Sequence, residues 1–236
     1  MLSLHAVNQF YGENHILRNL DLELKKGECT CILGAPGQGK TTLVNCITGY
    51  LPVQSGSMTW NEAGLPPQDL LIRPIESRAA LGMSYVAQDR RIFSQLCVEE
   101  NLQIALLAGN ERARIIPPMV YELFPELYSL RHVRAGELTS DLQQQLALAR
   151  ALVTEPKLLI LDEPTLGGGQ RFIHEIGNII RRLNRDFGLT ILLVEQRVPF
   201  IRRVADRFCL LHRGRNVAQG NVELLDDRLV ARWIEP

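Results

Sequence analysis

The 236-residue sequence predicts an α/β protein with parallel strands at its centre, a helical insertion and an antiparallel β part. Three features point there. A glycine-rich loop, "GAPGQGK", joins an alternating strand-like run to a run with helical spacing. Two short, uninterrupted apolar runs, "KLLILDEP" and "LTILLVEQ", suit buried parallel strands. Between these regions, from about Arg90 to Gly136, the apolar spacing becomes helical.

The elements follow in order. "LSLHAVNQFY" and "ILRNLDLELKKGECTCILGAPG" alternate apolar and polar residues, as half-buried strands do, with Cys29 and Cys31 on one face. "KTTLVNCITGYL" has helical spacing. "GSMTWNEAG" reads as a strand and turn, and "AALGMSYVAQ" as a strand ending at Gln88. "VEENLQIALLA" and "PPMVYELFPELYSL" are helical and are broken by Pro117 and Pro118. "FCLLHRGRNVAQG" predicts a late hairpin turning at Arg213–Gly214. One domain spanning residues 1–236 is expected, with the helical insertion at about 90–140.

Composition narrows the function. Lys+Arg and Asp+Glu are both 26, so no basic field points to nucleic acid as the main partner. No apolar run reaches the length of a membrane span, and the first residues lack a secretory pattern. The five cysteines are scattered, without a C-x-x-C pair, and predict buried reduced thiols in a cytosolic protein.

Gly34, Ala35, Pro36, Gly37, Gln38, Gly39, Lys40 and Thr41 fit G-x-x-x-x-G-K-[ST] between strand and helix, with Thr42 following. Glycines let backbone amides approach a phosphate, and the helix presents its positive end to the anion. Lys40 would neutralise β- and γ-phosphate oxygens, and the Thr41 hydroxyl would ligate Mg²⁺. The plainer reading is a glycine turn before a helix. Pro36 removes one amide from this cradle. Asp162 and Glu163 end an apolar strand, where ligands collect in an open α/β sheet. Asp162 is suited to hold Mg²⁺ through water, and Glu163 to polarise an attacking water.

Together, "GAPGQGKTT", "YVAQ", "QQQLALARALVTEPKLLILDEPT" and "ILLVEQ" resemble the ATP-binding subunits of ABC transporters, nearly end to end. Within that family, "NQFYGENHIL", "IPPMVYELFPEL" and "LLVEQRVPFIRRVADRF" are most similar to the urea importer subunit, with the branched-chain amino acid importer subunit second. The resemblance implies a P-loop NTPase core of the ABC ATPase type. It implies that Tyr11 stacks on adenine, unless it is a surface strand aromatic. Gln88 would contact Mg²⁺ or water and report nucleotide state, unless it only caps a strand. Gln196 falls where many members carry a γ-phosphate-sensing histidine.

One departure is pronounced. The family's L-S-G-G-Q turn, which faces the partner subunit's γ-phosphate, is replaced by Leu138, Thr139, Ser140, Asp141 and Leu142. A carboxylate at about 4 Å from a phosphate charge costs about 4 kcal/mol at an effective dielectric near 20. "SDLQ" also makes a capping box, with Ser140 as cap and Gln143 three residues on. "LGGGQ", 166–170, replaces a more ordered dimer-contact loop, and Ala87 stands where a proline is usual.

The resemblance therefore implies a Mg-ATP-dependent subunit, peripheral on the cytoplasmic face of the membrane. It would pair with a second ATP-binding subunit, as a heterodimer, and drive two permease subunits fed by a periplasmic binding protein, with urea as the first expected substrate and a branched-chain amino acid or another small amide as the second. A weakly nucleotide-binding regulatory subunit is the main rival. A soluble ABC protein of translation or repair is the third, disfavoured because such proteins carry two cassettes or long insertions.

Overall fold

The computed structural model describes residues 1–109 and 115–234. The part of the expected helical insertion at 110–114 lies outside the described residues. The strands are β1 (Leu2–Tyr11), β2 (Asn14–Leu24), β3 (Cys29–Leu33), β4 (Ser55–Trp60), β5 (Gln68–Asp69) and β6 (Met83–Val86). They continue with β7 (Leu158–Asp162), β8 (Thr190–Val194), β9 (Arg207–His212) and β10 (Arg215–Asn221). The helices of the first half are α1 (Lys40–Thr48), α2 (Ile75–Ala80), α3 (Val98–Gly109), α4 (Pro118–Leu123) and α5 (Pro125–Ser129). Those of the second half are α6 (Ser140–Leu152), α7 (Gln170–Arg185), α8 (Val198–Val204) and α9 (Asp227–Trp233).

Two sheets result. One is antiparallel, in the order β2-β1-β4-β5. The other runs β10-β9-β3-β8-β7-β6; its strands are parallel except for β10 at one edge. Every residue of β3, β7 and β8 is buried. Successive side chains go to opposite faces. Leu159 and Leu161 join a core with α6 and α7, whereas Leu158 and Ile160 join one with α1 and the antiparallel sheet. The fold is thus the α/β core with an antiparallel part that the sequence predicts.

Three sequence expectations need correction. β3 is buried on both faces, so its polar Thr30 lies inside and the alternation of "ECTCIL" does not mark a wet face. β6 stops at Val86, two residues before Gln88. There Ala87 O accepts the amide of Arg90 at 3.0 Å, and this turn carries Gln88 away from the sheet. The thiols are all free, but Cys97 is only partly buried. Burial pushes the Cys46 and Cys209 thiols up to about 12, so they are inert hydrophobes.

The late hairpin turns at Arg213–Gly214, as predicted, with φ of 48° and 73°. A Cβ on Gly214 would sit 1.7 Å from Ile16 O, so only glycine fits. The turn packs tightly because Arg18 N donates to Gly214 O at 2.9 Å and Gly214 N to Gln38 O at 3.2 Å. The hairpin thereby braces the glycine loop. No helix among the described residues is long and apolar enough to cross a membrane.

Arg78 braces the other end of α1. It is buried, and its guanidinium donates to Cys46 O at 2.6 Å, Ile47 O at 2.8 Å and Arg73 O at 2.9 Å, and also to Leu70 O. These include orphan carbonyls of the α1 C-terminus, which glycine at 49 leaves open to the side chain. Arg78→Met keeps the aliphatic length and removes every donor. The unfolding free energy is expected to fall by about 2–4 kcal/mol, read as a lower urea midpoint. A fall below about 0.5 kcal/mol would show that the carbonyls do not depend on Arg78.

Candidate functional site

The site is built at the carboxyl ends of adjacent parallel strands. β3 runs into the loop Gly34–Gly39, and α1 begins at Lys40. Gly39 caps α1 in a left-handed conformation, φ 98°, and no side chain takes the first-turn amides. Those donors stay open at a helix N-terminus, which is what an anionic group needs. Lys40 is buried and curls back over the loop, its Nζ donating to Gly34 O at 2.8 Å and Ala35 O at 2.9 Å. Burial lowers its proton affinity, while the carboxylates of Glu163 and Asp162 oppose that shift.

β7 delivers the acid pair. Asp162 is buried, accepts the Tyr85 hydroxyl on Oδ2 at 3.3 Å, and leaves Oδ1 without a partner. Burial raises its pKa, and the Glu163 charge raises it further; Tyr85, Thr41 and Lys40 pull the other way. A buried carboxylate oxygen with no donor, beside the Thr41 hydroxyl, fits a divalent cation. Glu163 has a left-handed backbone, φ 49°, and its amide donates to Val194 O at 2.9 Å. Such a conformation is costly for a non-glycine residue and marks a constrained position. It aims the carboxylate at two glutamines: Gln88 Nε2 lies 3.4 Å from Oε2, and Gln196 Nε2 donates to Oε1.

A cavity of about 390 Å³ brings most of the predicted residues together. Pro36, Gly37, Gly39, Lys40, Thr41, Thr42, Gln88, Glu163 and Gln196 all line it, as does Ile16, which the sequence did not single out. Gly34, Ala35 and Asp162 are not among its lining residues, and neither are Gln38 and Tyr11. Gln38 spends its side chain on the Arg213 amide. Tyr11 is exposed at the end of β1 and does not line the cavity.

The altered turn also stands outside the cavity, and its cap differs from the expected box. Thr139, not Ser140, is the N-cap of α6; its hydroxyl accepts the Leu142 amide at 3.4 Å. Gln143 turns back to Ala135 O and Leu138 O, at 3.2 Å each, so it does not close a capping box. Ser140 is held instead by Arg90, whose Nη2 donates to its hydroxyl at 2.7 Å. The same guanidinium donates to Gln143 at 3.3 Å and Gln144 at 3.1 Å. Asp141 lies in the first turn of α6, partly buried. In the glycine run, Gly167 has φ 74°, and a Cβ on Gly168 would lie 2.4 Å from the Phe172 ring. Gly167 thus answers a left-handed backbone and Gly168 a close packing contact, so neither only loosens the loop.

Comparison with known proteins agrees with this geometry. A family model described as ABC transporter matches residues 17–166. The chain belongs to the ABC transporter ATP-binding family. The cassette is 38% identical to the high-affinity branched-chain amino acid transport ATP-binding protein BraG of Pseudomonas aeruginosa, covering 92% of this chain and 91% of that protein. It is 36% identical to the probable branched-chain amino acid transport ATP-binding protein LivF of Archaeoglobus fulgidus, covering 96% and 94%. A nucleotide-free ATP-binding cassette from an ABC transporter superposes with a TM-score of 0.83 at 25% identity, over 98% of this chain and 97% of that one. A dimeric post-hydrolysis cassette bound to ADP and Pi has the same fold, with a TM-score of 0.81 at 21% identity over 94% and 99%. The protein is an ABC-type ATPase and binds ATP; cassettes of this family work in dimers with membrane permease subunits.

The raised pKa of Asp162 has a consequence for stability. A carboxyl whose folded pKa exceeds its unfolded one stabilises the fold at low pH and loses that contribution as pH rises through the folded value. At neutral pH its ionisation therefore destabilises the nucleotide-free cassette. Asp162→Asn is expected to raise the thermal midpoint at pH 7, with the gain vanishing below the unfolded carboxylate range. A lower midpoint at pH 7 would show that the buried carboxylate is not strained by its charge.

Proposed function

We propose that this cassette is the ATP-hydrolysing subunit of an importer for branched-chain amino acids, with residues 1–236 forming one nucleotide-binding domain. The convergence of Lys40, Gln88, Glu163 and Gln196 on one cavity carries the catalytic part of this reading. The two relatives at 38% and 36% identity support the substrate class. Urea, the first expectation from the sequence, draws no support from these relatives, and branched-chain amino acids replace it.

In this reading Lys40 and the open amides of α1 hold the phosphates. Thr41, Asp162 and Gln88 hold Mg²⁺, which when bound shields the phosphate oxygens and polarises the bond to be broken. Glu163 accepts a proton from the attacking water, and Gln196 orients that carboxylate and the γ-phosphate. Tyr11, exposed at the end of β1, would stack on the adenine. The site works on the inner face of the membrane, against two permease subunits supplied by a periplasmic binding protein. A groove of about 330 Å³, flanked by Tyr50, Arg90, Arg91 and Arg150 next to the Gln88 segment, supports a permease contact there.

Glu163→Gln keeps the side-chain shape and both amide neighbours but loses the base. Turnover by the assembled transporter is expected to fall about a hundredfold or more, with ATP affinity by calorimetry unchanged. Unaltered turnover would move the catalytic role elsewhere.

The altered turn makes the second test. We propose that the dimer is heterologous: a partner with an intact L-S-G-G-Q turn completes the site formed by Lys40, Asp162 and Glu163. The opposite site faces Asp141 and hydrolyses poorly. The isolated chain should be nearly inactive. Glycines at Ser140 and Asp141, with glutamine at Leu142, should raise its turnover at least about tenfold, a gain of about 1.4 kcal/mol in transition-state stabilisation. An unmodified chain that alone matches the restored variant contradicts this reading of the turn.

A further inference from the structure

Glu195 follows β8 directly and is only 3% exposed. Among the described residues, no lysine, arginine or histidine forms a salt bridge with it. A buried charge without a counterion is costly unless its acceptors are all used. Here they are used. Oε1 accepts the backbone amides of Gln196 at 2.8 Å and Arg197 at 3.1 Å. Oε2 accepts the Thr165 hydroxyl at 2.5 Å.

The donors belong to two different loops. Thr165 is 1% exposed, and it lies two residues after Glu163 in the loop that leaves β7. Its carbonyl accepts the Gly168 amide at 3.1 Å, so it also anchors the glycine run. Gln196 and Arg197 form the turn that leaves β8. The side chains of Glu163 and Gln196 meet across those loops. One carboxylate therefore fastens both supports of that contact.

We propose that Glu195 is a positioning residue for ATP turnover, which keeps Glu163 and Gln196 in register by tying Thr165 to the 196–197 amides. This rests on the reading of Glu163 as the catalytic base. Glu195 does not touch the nucleotide cavity, so it acts through the two residues that do. Reach matters here more than charge. Glutamine retains an Oε1 for both amides, and its Nε2 donates to a Thr165 hydroxyl rotated to accept. Aspartate retains the charge but is one methylene too short to span both loops.

Variants Glu195→Ala, Glu195→Asp and Glu195→Gln separate these properties. Amide exchange on the nucleotide-free chain reads the clamp itself. The Gln196 and Arg197 amides are expected to exchange at least about tenfold faster in the Ala and Asp variants, and near the parental rate in the Gln variant. In the assembled transporter, kcat should fall about ten- to hundredfold in Ala and Asp, with KM for ATP within about threefold of the parent. The Gln variant should keep most of the parental kcat. If the Ala and Asp variants do not fold, Thr165→Val removes one hydroxyl from the clamp and should still lower kcat at unchanged KM; full kcat there overturns the proposal. A Gln variant as impaired as Ala also overturns it, since charge would then be the property in use. A transporter whose parent hydrolyses ATP while Ala and Asp keep full kcat removes this role alone. A parent that hydrolyses none in any assembly removes the reading of Glu163 as well.

Discussion

The adjacency of β3, β8 and β7 in one parallel sheet is the constraint on which the candidate site depends. Parallel pairing puts the carboxyl ends of all three strands at one edge. The register is strict: Ile32 pairs with Val194, and Val194 with Asp162. The next residues in each chain are Leu33, Glu195 and Glu163. Glu195 N donates to Ile32 O at 3.2 Å and Glu163 N to Val194 O at 2.9 Å, so the alignment continues one step past the ends of β7 and β8. Neighbouring strands lie about 4.8 Å apart. Groups more than a hundred residues apart in sequence are thereby brought within side-chain reach. The strands tolerate no slip, because each is buried on both faces and a one-residue shift would exchange the contents of two cores.

That alignment also sets the charge of the edge. Asp162, Glu163 and Glu195 converge there, and Lys40 is the cation that reaches the same place. Glu195 is satisfied by hydrogen bonds alone, and Glu163 is met by glutamines rather than by cations. Asp162 carries the unrelieved part, with one oxygen orphaned. Without nucleotide the site is therefore strained by excess negative charge. Under the proposed function, a divalent cation brought in with the nucleotide relieves it. Stability and function then oppose each other at this residue, as they often do where charge is preorganised.

Much of this was legible in the sequence. The glycine loop, the two buried strands and the late hairpin carry local signals of spacing and turn chemistry, and each forms where predicted. Gln88 and Gln196 were placed through family resemblance, and both reach the cavity. What stayed hidden depends on contacts between distant segments. Glu195 reads as one more residue of "LVEQ", and nothing in that run announces Thr165 as its partner. Arg78 lies in an ordinary polar stretch, and only the fold brings the end of α1 to it. The Ser140 cap misled because "SDLQ" satisfies the capping pattern one residue late; Thr139 satisfies the geometry first, and Gln143 then finds carbonyls instead.

The altered turn looks different once its neighbours are known. Read alone, Ser140 and Asp141 are losses: two glycine positions gone and a carboxylate gained. In the fold, the Ser140 hydroxyl anchors Arg90, which sits two residues after Gln88 and reaches three side chains of α6. Arg90 itself has φ 62°, a strained backbone that its side-chain bonds must hold. A glycine at 140 offers no such anchor. The serine therefore exchanges part of an anion-binding turn for a tie between the Gln88 segment and α6. Under the proposed heterodimer the two substitutions act in opposite directions, Ser140 tying the turn to Arg90 and Asp141 repelling the facing phosphate, so the net effect of the turn depends on Arg90 as much as on the residues replaced.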